Sequence, residues 1–106
     1  MRILLDECVP LQVRHAFPDH EVTTAQRMGW SGISNGDLID RAEQGGFEVF
    51  VVADKNLRYQ QNFSSRRTAI LELWTNHRPT LERHFAELRA AAERLSPGEY
   101  YILQIP

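Results

Sequence analysis

Two acidic residues stand where apolar runs of the sequence end. Asp6 follows the run 3–5, and Asp54 follows the longer run 49–53. Continuous apolar runs of this kind predict buried parallel strands, and ligands of open α/β sheets bind just beyond the carboxyl ends of such strands. Clustered carboxylates repel one another, so a close group of them favours a bound hard cation. The sequence therefore predicts a site for Mg²⁺ or Mn²⁺ at this edge of a sheet.

Each of these acids also has an alternative role. Asp at the junction of a strand and a helix is a preferred N-cap, but two strands that both end in acid favour the metal site for Asp6 and Asp54. Asp37 lies in the first turn of a predicted helix, where it gains from the helix dipole without any further function. We weigh that role equally with metal ligation. Glu7 adjoins Asp6 and is expected to face elsewhere, so solvation or an ion pair is favoured over ligation.

A basic segment begins directly after Asp54. No acid occurs from Lys55 to Leu71, whereas four cations do. Cations attract phosphates locally, and an aromatic ring among amides offers stacking to a nucleic-acid strand. The alternative is a polar surface helix. The candidate contacts to nucleic acid are Lys55, Arg58, Tyr59, Gln60, Arg66 and Arg67.

Composition limits the classes of protein to consider. The chain has 106 residues, 42% hydrophobic and 25% charged, which suits a single domain over 1–106. A formal net charge of −2 argues against binding nucleic acid through global attraction. No apolar stretch approaches the roughly 18 residues of a membrane helix, and the immediate start of a strand predicts no signal peptide. The single cysteine, Cys8, fits a reducing cytoplasm.

Strands and helices alternate along the predicted chain. The hydrophobic pattern predicts strands near residues 2–6, 21–24, 49–53, 68–73 and 100–105. It predicts one helix from Pro10 to about Phe17, a second from an N-cap at Asn35 to Gly45, and a polar helix or loop over 55–62. The last and longest helix is expected to be capped at Thr80, with an apolar stripe of Leu81, Phe85, Leu88, Ala92 and Leu95. This order predicts a three-layer α/β/α sandwich with a mostly parallel five-stranded sheet and right-handed crossovers, but not the strand order.

Three motifs in sequence resemble those of a known family. They are Leu5-Asp6-Glu7, Ser34-Asn35-Gly36-Asp37-Leu38 and Ala53-Asp54-Lys55-Asn56-Leu57. With these motifs the chain resembles PIN-like proteins, and in particular a small, largely uncharacterised bacterial family related to toxin ribonucleases of the PIN superfamily. The resemblance covers most of the chain. It implies a Mg²⁺- or Mn²⁺-dependent ribonuclease whose metal ligands come from acids at strand ends and at a helix start.

Two positions depart from the family pattern. Related sequences commonly have an acid where this chain has Asn35, and many have one where it has Asn56. An amide oxygen can bind a cation but brings no charge, so both are secondary candidate ligands that lower the expected metal affinity. An inactive PIN-like module that binds a protein partner is therefore the second hypothesis. The partners to consider are RNA, a cognate antitoxin-like protein and a second copy of the chain in a homodimer.

A third hypothesis is a receiver-like phosphoacceptor, which also places acids after its first strand and an Asp after its third. That class requires a lysine after its last parallel strand, and residues 100–106 contain none. This hypothesis therefore ranks last.

Overall fold

A five-stranded parallel sheet forms the middle of the protein. The computed structural model describes residues 1–53 and 66–105, and all statements about the structure concern these residues. The strands are β1 (Arg2–Leu5), β2 (Glu21–Thr24), β3 (Val49–Val52), β4 (Ala69–Glu72) and β5 (Tyr100–Ile102). All pairs are parallel, and the strand order is β2-β1-β3-β4-β5.

Helices cover both faces of this sheet. The helices are a 3₁₀ helix (Leu11–Ala16), α1 (Asn35–Gln44), α2 (Arg78–Glu82) and α3 (Phe85–Glu93). Helix α1 packs on one face, and the other three pack on the opposite face. The predicted three-layer α/β/α architecture is therefore confirmed. In the part of the chain that the structure describes, no helix is both long and apolar enough to cross a membrane.

Successive residues of each strand point to opposite faces, so the central strands supply two separate cores. Ile3 and Leu5 of β1 face the 3₁₀ helix, α2 and α3, whereas Leu4 faces α1. All three side chains are fully buried. Burial on both faces is why these strands appear in the sequence as continuous apolar runs.

Helix α1 begins one residue earlier than expected. Its N-cap is Ser34, whose Oγ accepts a hydrogen bond from the backbone N–H of Asp37 at 3.4 Å. Asn35, the predicted cap, is the first residue within the helix. The sequence offers two good caps side by side, and only the backbone geometry chooses between them. The predicted end is confirmed, because Gly45 is the C-cap and Gly46 adopts a left-handed φ of 76°.

Two other helices differ from the prediction. The segment after Pro10 is a 3₁₀ helix, and its buried residues, Val13 and Ala16, recur every third position. The predicted long C-terminal helix is two helices, separated at Arg83 and His84, and it begins at Arg78 instead of being capped at Thr80. Both parts keep the apolar stripe inward, since Leu81 and Leu88 are fully buried. A stripe reports which residues face the core but not whether the helix between them is continuous. The predicted helix or loop over 55–62 lies outside the described residues.

Candidate functional site

The carboxyl ends of β1 and β3 lie side by side. Leu5 pairs with Val51, and the backbone N–H of Asp6 extends the pairing by donating to the carbonyl of Val51 at 3.0 Å. Strand β2 lies on the other side of β1, so β1 and β2 extend the sheet in one direction and β3 to β5 extend it in the other. The reversal lies between β1 and β3. In a sheet of this order the crevice at that reversal is where ligands bind. Asp6 therefore lies at the position where this fold favours a ligand-binding site.

Asp6 is a buried carboxylate. Only 7% of the residue is exposed, and its Oδ2 accepts a hydrogen bond from the thiol of Cys8 at 3.0 Å. A buried charge is costly unless hydrogen bonds or a counter-ion compensate it. The burial favours a functional site over a simple capping role, because a cap satisfies backbone N–H groups at a surface helix end. The 3₁₀ helix that follows has Pro10 as its N-cap residue, without any side-chain capping bond.

The neighbouring candidates are less enclosed. Glu7 is exposed, as expected from its position next to Asp6. Asp37 is also exposed, in the first turn of α1, and Asn35 is half-buried at its start. Helix α1 follows the carboxyl end of β2, so its first turn belongs to the same edge of the sheet as Asp6. The negative charge of Asp37 in that turn interacts favourably with the helix dipole. The structure is compatible with either role for Asp37, stabilising the helix or binding a metal.

Glu72 is an acid at this edge that the sequence analysis missed. It is the last residue of β4, pairs in register with Val52 of β3, and is only 1% exposed. Its Oε1 accepts a hydrogen bond from the phenol of Tyr100 at 2.7 Å. The sequence offered one indication of this residue, because a lone Glu inside the apolar run 69–73 is rare without a special reason.

Arg66 and Arg67 lie at the opposite edge of the sheet. Both precede β4, so they belong to its amino end, about 13 Å of strand from the carboxyl edge at roughly 3.3 Å per residue. Arg66 forms an ion pair with Asp40 of α1, and its side chain is 18% exposed. Arg67 is exposed. The structure does not bring these two candidate phosphate contacts together with Asp6.

Glu43 ties the start of β4 to the end of α1. Its two carboxylate oxygens accept the backbone N–H groups of Arg67 at 2.8 Å and Thr68 at 2.7 Å. Burial raises the pKa of Glu43, but these hydrogen bonds, together with the charge of Arg66, outweigh burial and lower it below its usual value. Glu43 therefore serves to hold the fold at the amino edge.

A cavity of about 510 Å³ opens at this same amino edge. Its walls come from the starts of β3 and β4, from Phe47 and from Leu95, with Glu43 and Arg67 at its polar side. Since Asp6 and Glu72 lie at the other end of the strands, this cavity is separate from the candidate site.

Several candidate residues lie outside the described part of the chain. Within residues 1–53 and 66–105, no three His, Cys, Asp or Glu side chains are grouped closely enough to hold a metal ion. The predicted metal site also requires Asp54, which follows Ala53 directly in the sequence. The candidate residues outside the described ranges are Asp54, Lys55, Asn56, Arg58, Tyr59 and Gln60.

The chain was compared with known protein families, with curated proteins and with solved structures, and none of them matches it.

Proposed function

We propose that the protein is a metal-dependent ribonuclease of the PIN-like type. The observation that supports this most is the buried carboxylate of Asp6 at the point where the sheet reverses its strand order. The strand that leads to Asp54 lies directly beside it. Asp6, Asp37 and Asp54 are the proposed metal ligands, with Asn35 and Asn56 as secondary candidates and Glu72 as an additional acid at the same edge.

The donor atoms suit the proposed cation. Carboxylate oxygens are the ligands that Mg²⁺ and Mn²⁺ prefer, and Mg²⁺ is usually bound by one or two carboxylates together with water and substrate phosphate. Bound there, such an ion would supply an activated water and would stabilise negative charge on a phosphodiester. The chain supplies carboxylates from separate elements, and Lys55, Arg58, Tyr59 and Gln60 are the proposed contacts to the RNA strand. Arg66 is already paired with Asp40, so this carboxylate competes with a phosphate for its guanidinium.

Binding of Mn²⁺ to three variants tests the metal site. Asp6→Asn and Asp54→Asn keep the side-chain size and remove the charge, so each should abolish Mn²⁺ binding in isothermal titration calorimetry. Asp19→Asn is the matched control, because Asp19 is exposed and lies before β2, away from the carboxyl edge. It should bind Mn²⁺ like the parent. Parent-like binding by both site variants would mean that these acids only stabilise the fold.

Cleavage of single-stranded RNA tests the activity itself. Cleavage is expected with Mn²⁺ or Mg²⁺, and none with EDTA or with Asp54→Asn. The assay uses a panel of RNAs that differ in sequence and in base pairing, so that a narrow substrate specificity is not mistaken for a lack of activity. Metal binding without cleavage of any of them would contradict the ribonuclease and favour the second hypothesis, a PIN-like module that binds a protein partner. The uncharged Asn35 and Asn56 are what favour that second hypothesis.

A further inference from the structure

The cavity at the amino edge of the sheet lies at the opposite end of the strands from Asp6. Its volume of about 510 Å³ is within the range of cavities that bind small molecules. Its floor is apolar, because Phe47, Val49 and Ala69 line it and none of them is more than 3% exposed. Leu95, in the segment after α3, borders it as well. A ligand that fills this cavity therefore needs an apolar body.

The backbone of the cavity wall is already hydrogen-bonded. The N–H of Arg67 donates to Glu43 at 2.8 Å, and the carbonyl of Arg67 accepts the N–H of Gly98 at 2.8 Å. The carbonyl of Glu48 accepts the N–H of Ala69 at 2.9 Å. These bonds hold the backbone of Arg67 and Glu48 in place, so this part of the wall is formed before a ligand binds. Polar recognition by these two residues is left to their side chains.

The side chains of Arg67 and Glu48 carry opposite charges and line the same cavity without pairing with each other. Both residues are exposed, and neither has an ion pair within residues 1–53 and 66–105. Glu43, the other acid of the wall, already accepts two backbone N–H groups. A simple anion would be repelled by Glu48, and a simple cation by Arg67. A ligand that carries both charges is attracted by both side chains.

The register of β3 and β4 brings the two charges to neighbouring strand ends. Val49 pairs with Ala69, and Glu48 and Arg67 precede this pair by one and two residues. Neighbouring strands lie about 5 Å apart. The two charges of the ligand must therefore be close to each other, as the ammonium and carboxylate of an α-amino acid are.

We propose that this cavity binds a free α-amino acid with an apolar side chain, as the zwitterion. The guanidinium of Arg67 donates to the carboxylate of the ligand, which its planar fork fits. The carboxylate of Glu48 accepts from the ligand ammonium, and the apolar side chain of the ligand packs on the floor of the cavity. This site uses none of the residues proposed to bind the metal, so it does not depend on the ribonuclease activity.

Titration with three related compounds, followed by methyl NMR, tests the need for both charges. L-Phenylalanine carries both, 3-phenylpropanoate lacks the ammonium, and 2-phenylethylamine lacks the carboxylate. Phenylalanine should shift the methyl resonances of Val49, Ala69 and Leu95 until they saturate, because its ring current acts on nearby protons. The methyl resonances of Ile33, which lies between β2 and α1 at the other edge, should not move. Each of the other two compounds should bind about tenfold more weakly, because it lacks one charged hydrogen bond.

Two variants that remove a charge identify the residue that holds each end of the ligand. Arg67→Gln should weaken the binding of phenylalanine and 3-phenylpropanoate about tenfold, without weakening that of 2-phenylethylamine. Glu48→Gln should weaken the binding of phenylalanine and 2-phenylethylamine, without weakening that of 3-phenylpropanoate. Arg27→Gln is the matched control, because Arg27 is exposed and follows β2 at the carboxyl edge. It should bind all three compounds like the parent, and circular dichroism verifies that each variant is folded.

Four results would overturn the inference. Methyl resonances at the cavity that do not respond to phenylalanine would show that it takes no amino acid. Equal affinities for phenylalanine and 3-phenylpropanoate would indicate a site for an apolar anion. Parent-like binding by Arg67→Gln and Glu48→Gln would mean that apolar contact alone holds the ligand. An equal loss in Arg27→Gln would show a non-specific effect of charge.

Discussion

Glu43 shows how much a single half-buried residue contributes to the structure. Its carboxylate accepts two backbone N–H groups at the point where the chain re-enters the sheet as β4. The N–H groups of Arg67 and Thr68 lie just before β4, so without Glu43 they would need water molecules as hydrogen-bond acceptors. Glu43→Gln keeps one carbonyl oxygen but loses the charge and one acceptor.

We expect Glu43→Gln to lower the free energy of unfolding by about 1 kcal/mol at neutral pH. Hydrogen bonds to a charged group contribute more than this when buried, and partial exposure reduces the value. Urea denaturation measures the change. Glu48→Gln is the control, because Glu48 is exposed and close in sequence, and it should have little effect. Equal effects of the two variants would contradict the role of Glu43.

The same variant should change the response to acid. The pKa of Glu43 is lowered in the folded protein from a usual value of 4.5. Its stabilising effect is therefore fully present above about that pH and is lost as the pH falls through the lower, folded pKa. The difference in unfolding free energy between parent and Glu43→Gln should shrink across this acid range. Urea denaturation at a series of pH values measures this, and a difference that stays constant down to the lowest pH would show that Glu43 is not the group responsible.

At the residue scale, the sequence identified Asp6 as a candidate site residue and missed Glu72, although the structure buries both acids. Asp6 was identified because it follows an apolar run, and the structure buries it at the carboxyl end of β1. Glu72 lies inside such a run, so the hydrophobic pattern indicates only that it belongs to the strand. Its partner Tyr100 is 28 residues away, and pairing over such a separation depends on which strands are neighbours, which local patterns do not report.

At the scale of elements, α1 depends on its N-terminal cap. Ser34→Ala removes the oxygen that accepts the N–H of Asp37, and loss of a serine cap typically costs about 1 kcal/mol of unfolding free energy. Ser31→Ala changes an exposed serine in the preceding loop and should be nearly neutral. Thermal or urea unfolding compares the two variants. If Ser31→Ala destabilised the protein as much as Ser34→Ala, the cap assignment would be wrong.

The elements themselves were mostly predictable, and their internal geometry was not. All five strands were predicted within a few residues, because burial on both faces gives unbroken apolar runs. The 3₁₀ geometry after Pro10 and the break at His84 depend on which carbonyl each N–H reaches, for example the 3.0 Å bond from the N–H of His84 to the carbonyl of Leu81, three residues back. Side-chain periodicity reports the face that is buried and is nearly the same for these alternatives.

At the scale of the whole molecule, one sheet separates two cores that should unfold together. Trp30 packs against the core beneath α1, and Trp74 packs against the core on the other face. They are the only two tryptophans. Trp30→Phe leaves a probe of one core, and Trp74→Phe leaves a probe of the other. Each face buries residues of the same strands, so neither core can be lost without exposing the sheet.

In each of these variants, tryptophan fluorescence and far-ultraviolet circular dichroism should give the same urea midpoint. Coincident transitions by different probes are the test of two-state unfolding. A fluorescence midpoint that precedes the dichroism midpoint in one variant would show that the corresponding core melts separately.

The order of strands was beyond the sequence analysis. The chain could place successive strands on either side of β1 without changing a single local pattern. The observed order makes β1 and β3 neighbours, and this adjacency is what brings the end of β1 next to the strand that leads to Asp54.

The pairing of β1 with β3 also has a consequence for synthesis on the ribosome. β1 leaves the exit tunnel before β3, its partner on one side, and the stretch 6–48 is translated between the two strands. Until then β1 can pair with β2 alone, and its buried side chains Ile3, Leu4 and Leu5 lack the strand that completes their packing. The nascent chain therefore passes through a period in which an apolar strand of its core is accessible to chaperones, and the crevice beside Asp6 begins to form only when that period ends.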